Sequence, residues 1–347
     1  MPNVLSLFSL AGAIALVVAA LGKVPGVPAP ESDRKARFLA VGDINLGRRL
    51  GQKILAGDTL HPFRNVLEVF AAHDVVFGNL ESALSDQNGE TEHPSSNMIF
   101  TGPPAGARAL QLGGVDVVST ANNHALDYGE RGRRETLELL RGAGIAFAGT
   151  VDDSSAARGA SSPGPAFLER NGIRFALFAC TAIMNQPGEG WKKQVAPADT
   201  SILLPLLRKV RDSADVVVVS YHGGDEYSDR ASAATARFAR EIIDGGADLF
   251  LGHHPHVPYG IERRGRGLIV HSLGNFVFLQ PSRFWTRWSY ALSAEFTKGP
   301  HGTELTDYAV LPVRCGFQPE FARGLEADSV INRVLQRTTF AVMERVQ

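Results

Sequence analysis

From residue 37 onward, short apolar runs alternate with segments whose apolar residues recur at helical spacing. Residues 38–41 read as a strand running into Gly42-Asp43, and residues 75–77 as a strand running into Gly78-Asn79-Leu80-Glu81. Residues 115–119 form another, followed by Ala121-Asn122-Asn123-His124, and residues 145–148 another. Between them, residues 65–72, 105–112 and 130–141 carry helical spacing, the last with a charged outer face. Strand, helix and strand in repeats of this length need right-handed crossovers, so this half predicts a largely parallel sheet.

The second half changes character. Residues 167–170 and 173–179 flank Asn171-Gly172, the strongest short signal for a hairpin. Helical spacing over 202–211 leads into 216–220, an unbroken apolar run of the kind that suits a strand buried on both faces. Residues 231–244 read as helix, closed by Gly245-Gly246. Residues 248–251, 258–263, 268–271, 290–296 and 303–313 follow as successive strands, and the tail to Gln347 as one amphipathic helix. Mixed parallel and hairpin-linked strands predict an α/β fold of two packed sheets with helices on both outer faces.

The N-terminus is different in kind. Residues 4–22 carry no charge and are rich in Leu, Ala, Val and Ile, which predicts a signal peptide or a membrane anchor. Its flanks pull the other way: Lys23, Arg34, Lys35 and Arg37 follow the run and no Lys or Arg precedes it. A buried N-terminal helix is the alternative. The Pro-rich KVPGVPAPES reads as linker, giving a division into segment 1–22, linker 23–36, domain 37–315 and helical tail 316–347. The 347 residues, 44% hydrophobic and 20% charged, are ordinary globular composition with ample material for a core. A formal net charge of -1 provides no field to draw nucleic acid, and no nucleic-acid partner is expected. Cys180 and Cys315 lack metal-ligand spacing; they suit either a disulfide in an oxidising compartment or two buried thiols.

The chemistry lies in where the polar residues fall. Ligands of open α/β folds bind beyond the carboxyl ends of the strands, where loops converge. Asp43, Glu81, Asn123, His124 and His222 each follow an apolar strand, as do His253, His254 and His256. Taken singly, Gly42-Asp43 suits a turn, Glu81 a surface carboxylate and His222 a satisfied core histidine. Three histidines in four residues after a buried strand are harder to explain by packing. Carboxylate, amide oxygen and imidazole together suit Mn, Fe, Zn or Mg ions, one or two of them.

The ordered motifs GDINLGR, FGNLES, ANNHALDYG, HGGDEY, GHHPHVPYGIE and HSLGNFVF resemble the poly-gamma-glutamate capsule synthesis family called CapA, which is related to the calcineurin-like metallophosphoesterases. The resemblance spans about residues 37–278 and implies a four-layer α/β/β/α sandwich, metallo-dependent phosphatase-like, with a metal centre at the strand ends. It implies Asp43, Glu81, Asn123, His222, His254 and His256 as metal ligands, with Glu81 in the place of a metal-bridging aspartate. His124 matches the histidine that steadies phosphate or protonates the leaving group, and His253 would replace its neighbours if the closing motif were aligned one residue earlier. Asp127, Glu226 and Asn275 are candidates to support ligand histidines.

Departures from the pattern are visible. The phosphoesterases carry Asp-x-His where this chain has Asp43-Ile44-Asn45, so Asn45 offers an amide or nothing. Their Gly-Asp-x-x-Asp appears only as Gly78-Asn79-Leu80-Glu81, and the His-Trp-Gly of the CapA family is His222-Gly223-Gly224. The first two bear on how many metals bind, and the third implies a pocket without the family's aromatic wall. The resemblance implies an envelope-associated role in capsule or poly-gamma-glutamate biosynthesis or export. Its expected partners are capsule-synthesis membrane proteins or an anionic polymer, with a membrane contact through the N-terminal segment. The ligand types imply hydrolysis of a phosphoester or related bond; metal-dependent assembly or polymer binding without turnover is the alternative.

Overall fold

The structure is a computed structural model that describes residues 33–151 and 164–338. The apolar run 4–22 and the Pro-rich stretch after it lie outside the described residues. In the first half the elements are β1 (Arg34–Ile44), α1 (Arg48–Leu55), α2 (Leu67–Ala71), β2 (Val75–Leu80) and the short β3 (Ala83–Leu84) and β4 (Thr101–Gly102). They continue with α3 (Ala105–Gly113), β5 (Val117–Ser119), α4 (Gly129–Gly142) and β6 (Ala146–Ala148). The hairpin β7 (Ala166–Arg170) and β8 (Ile173–Thr181) follows, then α5 (Thr200–Val210), β9 (Val216–His222), α6 (Ala233–Asp244) and β10 (Leu249–His253). The chain closes with β11 (Ile261–Arg264), β12 (Gly267–Val270), β13 (Asn275–Val277), β14 (Trp288–Gly299), β15 (Gly302–Arg314), β16 (Glu320–Phe321) and α7 (Gly324–Arg337).

Two sheets carry the architecture. One runs β16-β15-β14-β1-β2-β5-β6 with β13 paired to β1, and the other β11-β12-β10-β9-β8-β7. Alternation along β1 sorts its side chains: Phe38 and Ala40 enter the space between the sheets, while Leu39 and Val41 face α1, α2 and α3. Between the sheets Phe38 stacks on Phe77 at 6.3 Å and on Phe175 at 5.8 Å, and Phe296 meets Phe175 edge-on at 5.9 Å. Outside the second sheet, Leu203 and Leu207 of α5 and Ile242 and Ile243 of α6 cover Phe178, Val217, Val219 and Phe250. The layers are therefore helix, sheet, sheet, helix, as the resemblance implies.

Local chemistry explains the element ends. Asp199 accepts from Ser201 N at 2.8 Å to start α5, and Ser232 accepts from Thr235 N at 3.2 Å to start α6. Asn171 and Gly172 both take positive φ, 52° and 72°, which matches the twist of the β7–β8 hairpin. Two boundaries differ from the sequence reading. β1 begins at Arg34, opposite Lys298, so the stretch read as linker to residue 36 ends in a paired strand. The tail is not an appendage: β16 pairs with β15, and Val330 and Val334 of α7 enter the core between the sheets. Residues 339–347 lie outside the described part.

Candidate metal centre

Strand ends assemble the site. Asp43 lies within β1, in register with Asn79 of β2 on one side and Asn275 of β13 on the other. Beside it, Gly42 admits the Gly274 carbonyl so closely that any Cβ would collide with it, and Asp43 N donates to that carbonyl at 3.0 Å. His222 and His253 are the last residues of β9 and β10 and sit opposite each other in register. Gly252 before His253 is pressed in the same way against the His271 carbonyl. Glu81 follows β2 directly, and residues 120–124 follow β5. Register and close approach thus bring residues far apart in sequence to one crevice.

Within it, Asp43 is fully buried. Its Oδ1 accepts from Asn79 Nδ2 at 2.8 Å and stands 3.2 Å from His253 Nδ1; its Oδ2 stands 3.5 Å from His256 Nδ1. Glu81 is also fully buried, and its Oε1 is faced by Nε2 of His222 at 3.8 Å and Nε2 of His124 and His256 at 3.9 Å. Asn79 Nδ2 also meets His222 Nδ1 at 3.1 Å, and Asn123 Oδ1 lies 2.8 Å from His222 Nε2.

His124 is held from three sides. Its Nδ1 lies 2.6 Å from Asp127 Oδ2, its ring stacks on Phe100 at 3.8 Å, and its backbone N donates to Asn122 Oδ1 at 3.1 Å. The Asp127 carboxylate also accepts from Phe100 N, so one acid fixes both rings. On the opposite wall, His254 and His256 have positive φ of 93° and 59°, a conformation that costs free energy in residues with a Cβ. His256 Nδ1 lies 2.9 Å from Asn275 Oδ1, while Asn275 Nδ2 donates to Thr286 O and Gln280 Oε1. Glu226 is exposed, with an oxygen close to His254 and His256.

The electrostatics are those of a crowded polar cluster. Burial would raise the Asp43 pKa, but the imidazoles of His253 and His256 outweigh it and hold it well below the usual carboxylate range. Glu81 is pushed well above that range by burial and by the charges of Asp43, Glu226 and Asp127. Burial, reinforced by the neighbouring histidines, lowers His222 strongly and His254 to about 4. Both Glu81 oxygens, Asp43 Oδ2, both His253 ring nitrogens and His254 Nδ1 are buried without a hydrogen bond. Leaving such groups unsatisfied costs about 1–3 kcal/mol each, more when charged.

A divalent cation fits a cluster that holds these orphaned atoms. Donor atoms of Glu81, His222 and His254 lie within 4.8 Å of one another, as do those of Asp43, Glu81 and His256 and those of Glu226, His254 and His256. Glu81, His254 and His256 each belong to two of these groups. Asn123 adds an amide oxygen beside His222. Asn45 does not join: its Oδ1 accepts from Gly47 N at 2.8 Å, closing a turn.

Reading the sequence by residue type misses several partners. Asn79 ties Asp43 to His222, and Asn122 Nδ2 ties that amide to the Leu80 carbonyl. Asn79 is signalled by an amide inside the buried run VVFGNL. Asn185 Oδ1 accepts from Asn123 Nδ2 at 3.1 Å from a loop after β8 and carries no local signal. The two cysteines are free and buried; Cys315 donates its thiol to the Asn275 carbonyl, and burial pushes it up to about 12.

The family described as "Bacterial capsule synthesis protein PGA_cap" matches residues 37–280, and the chain belongs to it. The chain is 27% identical over 320 residues to the capsule biosynthesis protein CapA of Bacillus anthracis, covering 88% of this chain and 74% of that one. It is 32% identical over 266 residues to the PGA biosynthesis protein CapA of Bacillus subtilis, covering 76% and 68%. Among solved structures, the calcineurin-like phosphoesterase YfkN of Bacillus subtilis aligns with TM-score 0.45 and 12% identity over 88% of this chain and 97% of that one. The 5'-nucleotidase of Candida albicans aligns with TM-score 0.44 and 10% identity over 87% of this chain and 57% of that one.

Proposed function

From membership of the capsule synthesis family and the donor set at the strand ends, we propose that this protein is a metal-dependent hydrolase of a phosphoester or related bond. Its place is the cell envelope, in capsule or polyglutamate biosynthesis, beside synthesis proteins or the anionic polymer itself. One observation carries the reading: the Glu81 carboxylate, buried with neither oxygen hydrogen-bonded, faces imidazole nitrogens of His222, His124 and His256 at 3.8–3.9 Å. Asp43, Glu81, Asn123, His222, His254 and His256 would hold the cations, with His253 and Glu226 adjoining. Bound cations would supply positive charge for a phosphoryl oxygen and acidify a water.

The chain's own residues supply the proton chemistry. Asp127 at 2.6 Å keeps a proton on His124 Nδ1, which leaves Nε2 facing the Glu81 side of the crevice. Protonated there, His124 is placed to give its Nε2 proton to a leaving oxygen. Phe100 stacked on the ring holds its plane and excludes water from that face. A second reading, metal-dependent polymer binding without turnover, is favoured by Asn45 turning to Gly47 and by Asn79 in place of an acid, since the first removes an imidazole and the second a carboxylate from the ligands for a second cation.

Elemental analysis joined to manganese-dependent hydrolysis of an aryl phosphodiester separates the two. Wild type should bind metal and turn over; Asp43→Ala and His254→Ala should lose metal. His124→Ala should keep it while kcat falls about 100- to 10,000-fold. One metal per chain without turnover decides for the binding reading. Metal retained in both Asp43→Ala and His254→Ala would sink the site assignment.

A further inference from the structure

Six non-glycine residues have positive φ among the described residues: Arg48, Asn88, Asn171, Tyr227, His254 and His256. Asn88 and Asn171 occupy turns, where asparagine adopts this conformation readily. The other four surround one opening. Arg48 places its guanidinium over the Phe100 ring at 4.6 Å and the Phe278 ring at 5.7 Å. Phe100 stacks on His124, and Phe278 lies 5.2 Å from the His256 ring. Tyr227 stacks on His256 at 6.0 Å and carries the Arg283 guanidinium 4.3 Å above its ring. Backbone strain of this kind persists where the surroundings demand a particular placement.

Neither guanidinium is spent on an ion pair. Arg48 donates to the Asn97 carbonyl at 2.7 Å, and no carboxylate lies within ion-pair distance of Arg48 or Arg283 among the described residues. Arg48 is half-buried and lines a cleft of about 670 Å³ whose other wall includes His93, Ser95, Ser96 and Asn97. Glu92 stands at the same cleft but is exposed. A guanidinium held over a ring face by cation–π attraction keeps further N–H groups for forked recognition of an oxyanion.

We infer that Arg48, seconded by Arg283, is a substrate-recognition residue that binds an oxyanion of an anionic substrate chain in the cleft beside the metal centre. Arg48 grips the group next to the bond presented to His124, and Arg283 takes one on the Tyr227 side. The oxyanion is a carboxylate or a phosphate, and both offer the same fork. Only the placement of the bond at His124 rests on the hydrolase reading; the anion site is scored by binding.

Titration calorimetry of the full chain with manganese, using a short oligoglutamate in one arm and inorganic phosphate in the other, tests this. Arg48→Gln should weaken at least one probe by about tenfold or more, with metal content and melting unchanged. Arg48→Lys should fall between, because it keeps the charge and loses the fork. Arg283→Gln should show a smaller loss, and Arg108→Gln, on the exposed face of α3, none. The arm that weakens identifies the carboxylate or the phosphate as the group bound. The inference is overturned if wild type binds neither probe, or if Arg48→Gln binds both probes within twofold of wild type. It is overturned equally if Arg108→Gln loses as much as Arg48→Gln. Absence of hydrolysis in wild type would count against the hydrolase reading and leave this result standing.

Discussion

The same strands build two regions of opposite character. β1 carries Phe38 into the space between the sheets and Asp43 into the crevice; β2 does likewise with Phe77 and Glu81, and β9 with Val218 and His222. In the first region buried side chains satisfy one another by ring and methyl contact, as in the stacking of Phe38 on Phe175. In the second, burial is as complete but Glu81, His253 and His254 leave polar atoms without partners. One end of each strand stabilises the fold, and the other holds groups at a cost that a bound cation would offset. Burial alone therefore does not distinguish core from site; partner satisfaction does.

The contrast can be broken by mutation. Phe175→Ala, in the fully buried ring cluster, should lower unfolding free energy by about 3–5 kcal/mol in denaturant titration. It should leave metal stoichiometry intact below its melting temperature; loss of metal with the fold retained would show that core and site are one unit. A smaller effect concerns His254 in metal-free protein, where the folded-state pKa is depressed to about 4. A neutral buried imidazole must take up a proton, so its stability contribution is lost as pH falls from about 6.5 toward 4, by at most about 3 kcal/mol. Melts across that window should be flatter for His254→Gln than for wild type; parallel curves would refute the assignment.

The smallest effect has the opposite sign. Glu81 is a carboxylate with a raised folded-state pKa, so the wild type binds more protons folded than unfolded and loses stability as pH rises above about 4.5. Metal-free Glu81→Gln should then be the more stable protein above that pH, by about 1–3 kcal/mol, while binding manganese less well. A Gln variant less stable than wild type at pH 8 without metal would mean that the carboxylate is already satisfied there.

Much of this was legible residue by residue. Polar groups placed directly after apolar runs pointed to Asp43, Glu81, Asn123, His124, His222 and the 253–256 cluster, and the structure brings them to one crevice. Three details of placement differ: Asp43, His222 and His253 lie inside their strands rather than beyond them, because pairing with β13, β8 and β9 continues to the crevice floor. Asn45 was equally eligible by type, yet its amide closes a local turn. Asn185 and Arg48 could not be singled out, since nothing near them in the chain marks their partners. Among the described residues no helix is long and apolar enough to cross a membrane.

What the sequence determined by itself is whatever depends on neighbours along the chain. Alternation, helical spacing and the Asn171-Gly172 turn set the strands, the helices and the hairpin, and the motif order set the family. Only the tertiary structure decided which of the candidate groups meet. Asn79 bridging Asp43 to His222, Asp127 serving both His124 and Phe100, and Arg48 lying over Phe100 all depend on strand register and loop closure. Those contacts join residues with no relation along the chain, so the physical reason they were hidden is the reason the crevice exists: burial forces distant polar groups to find one another.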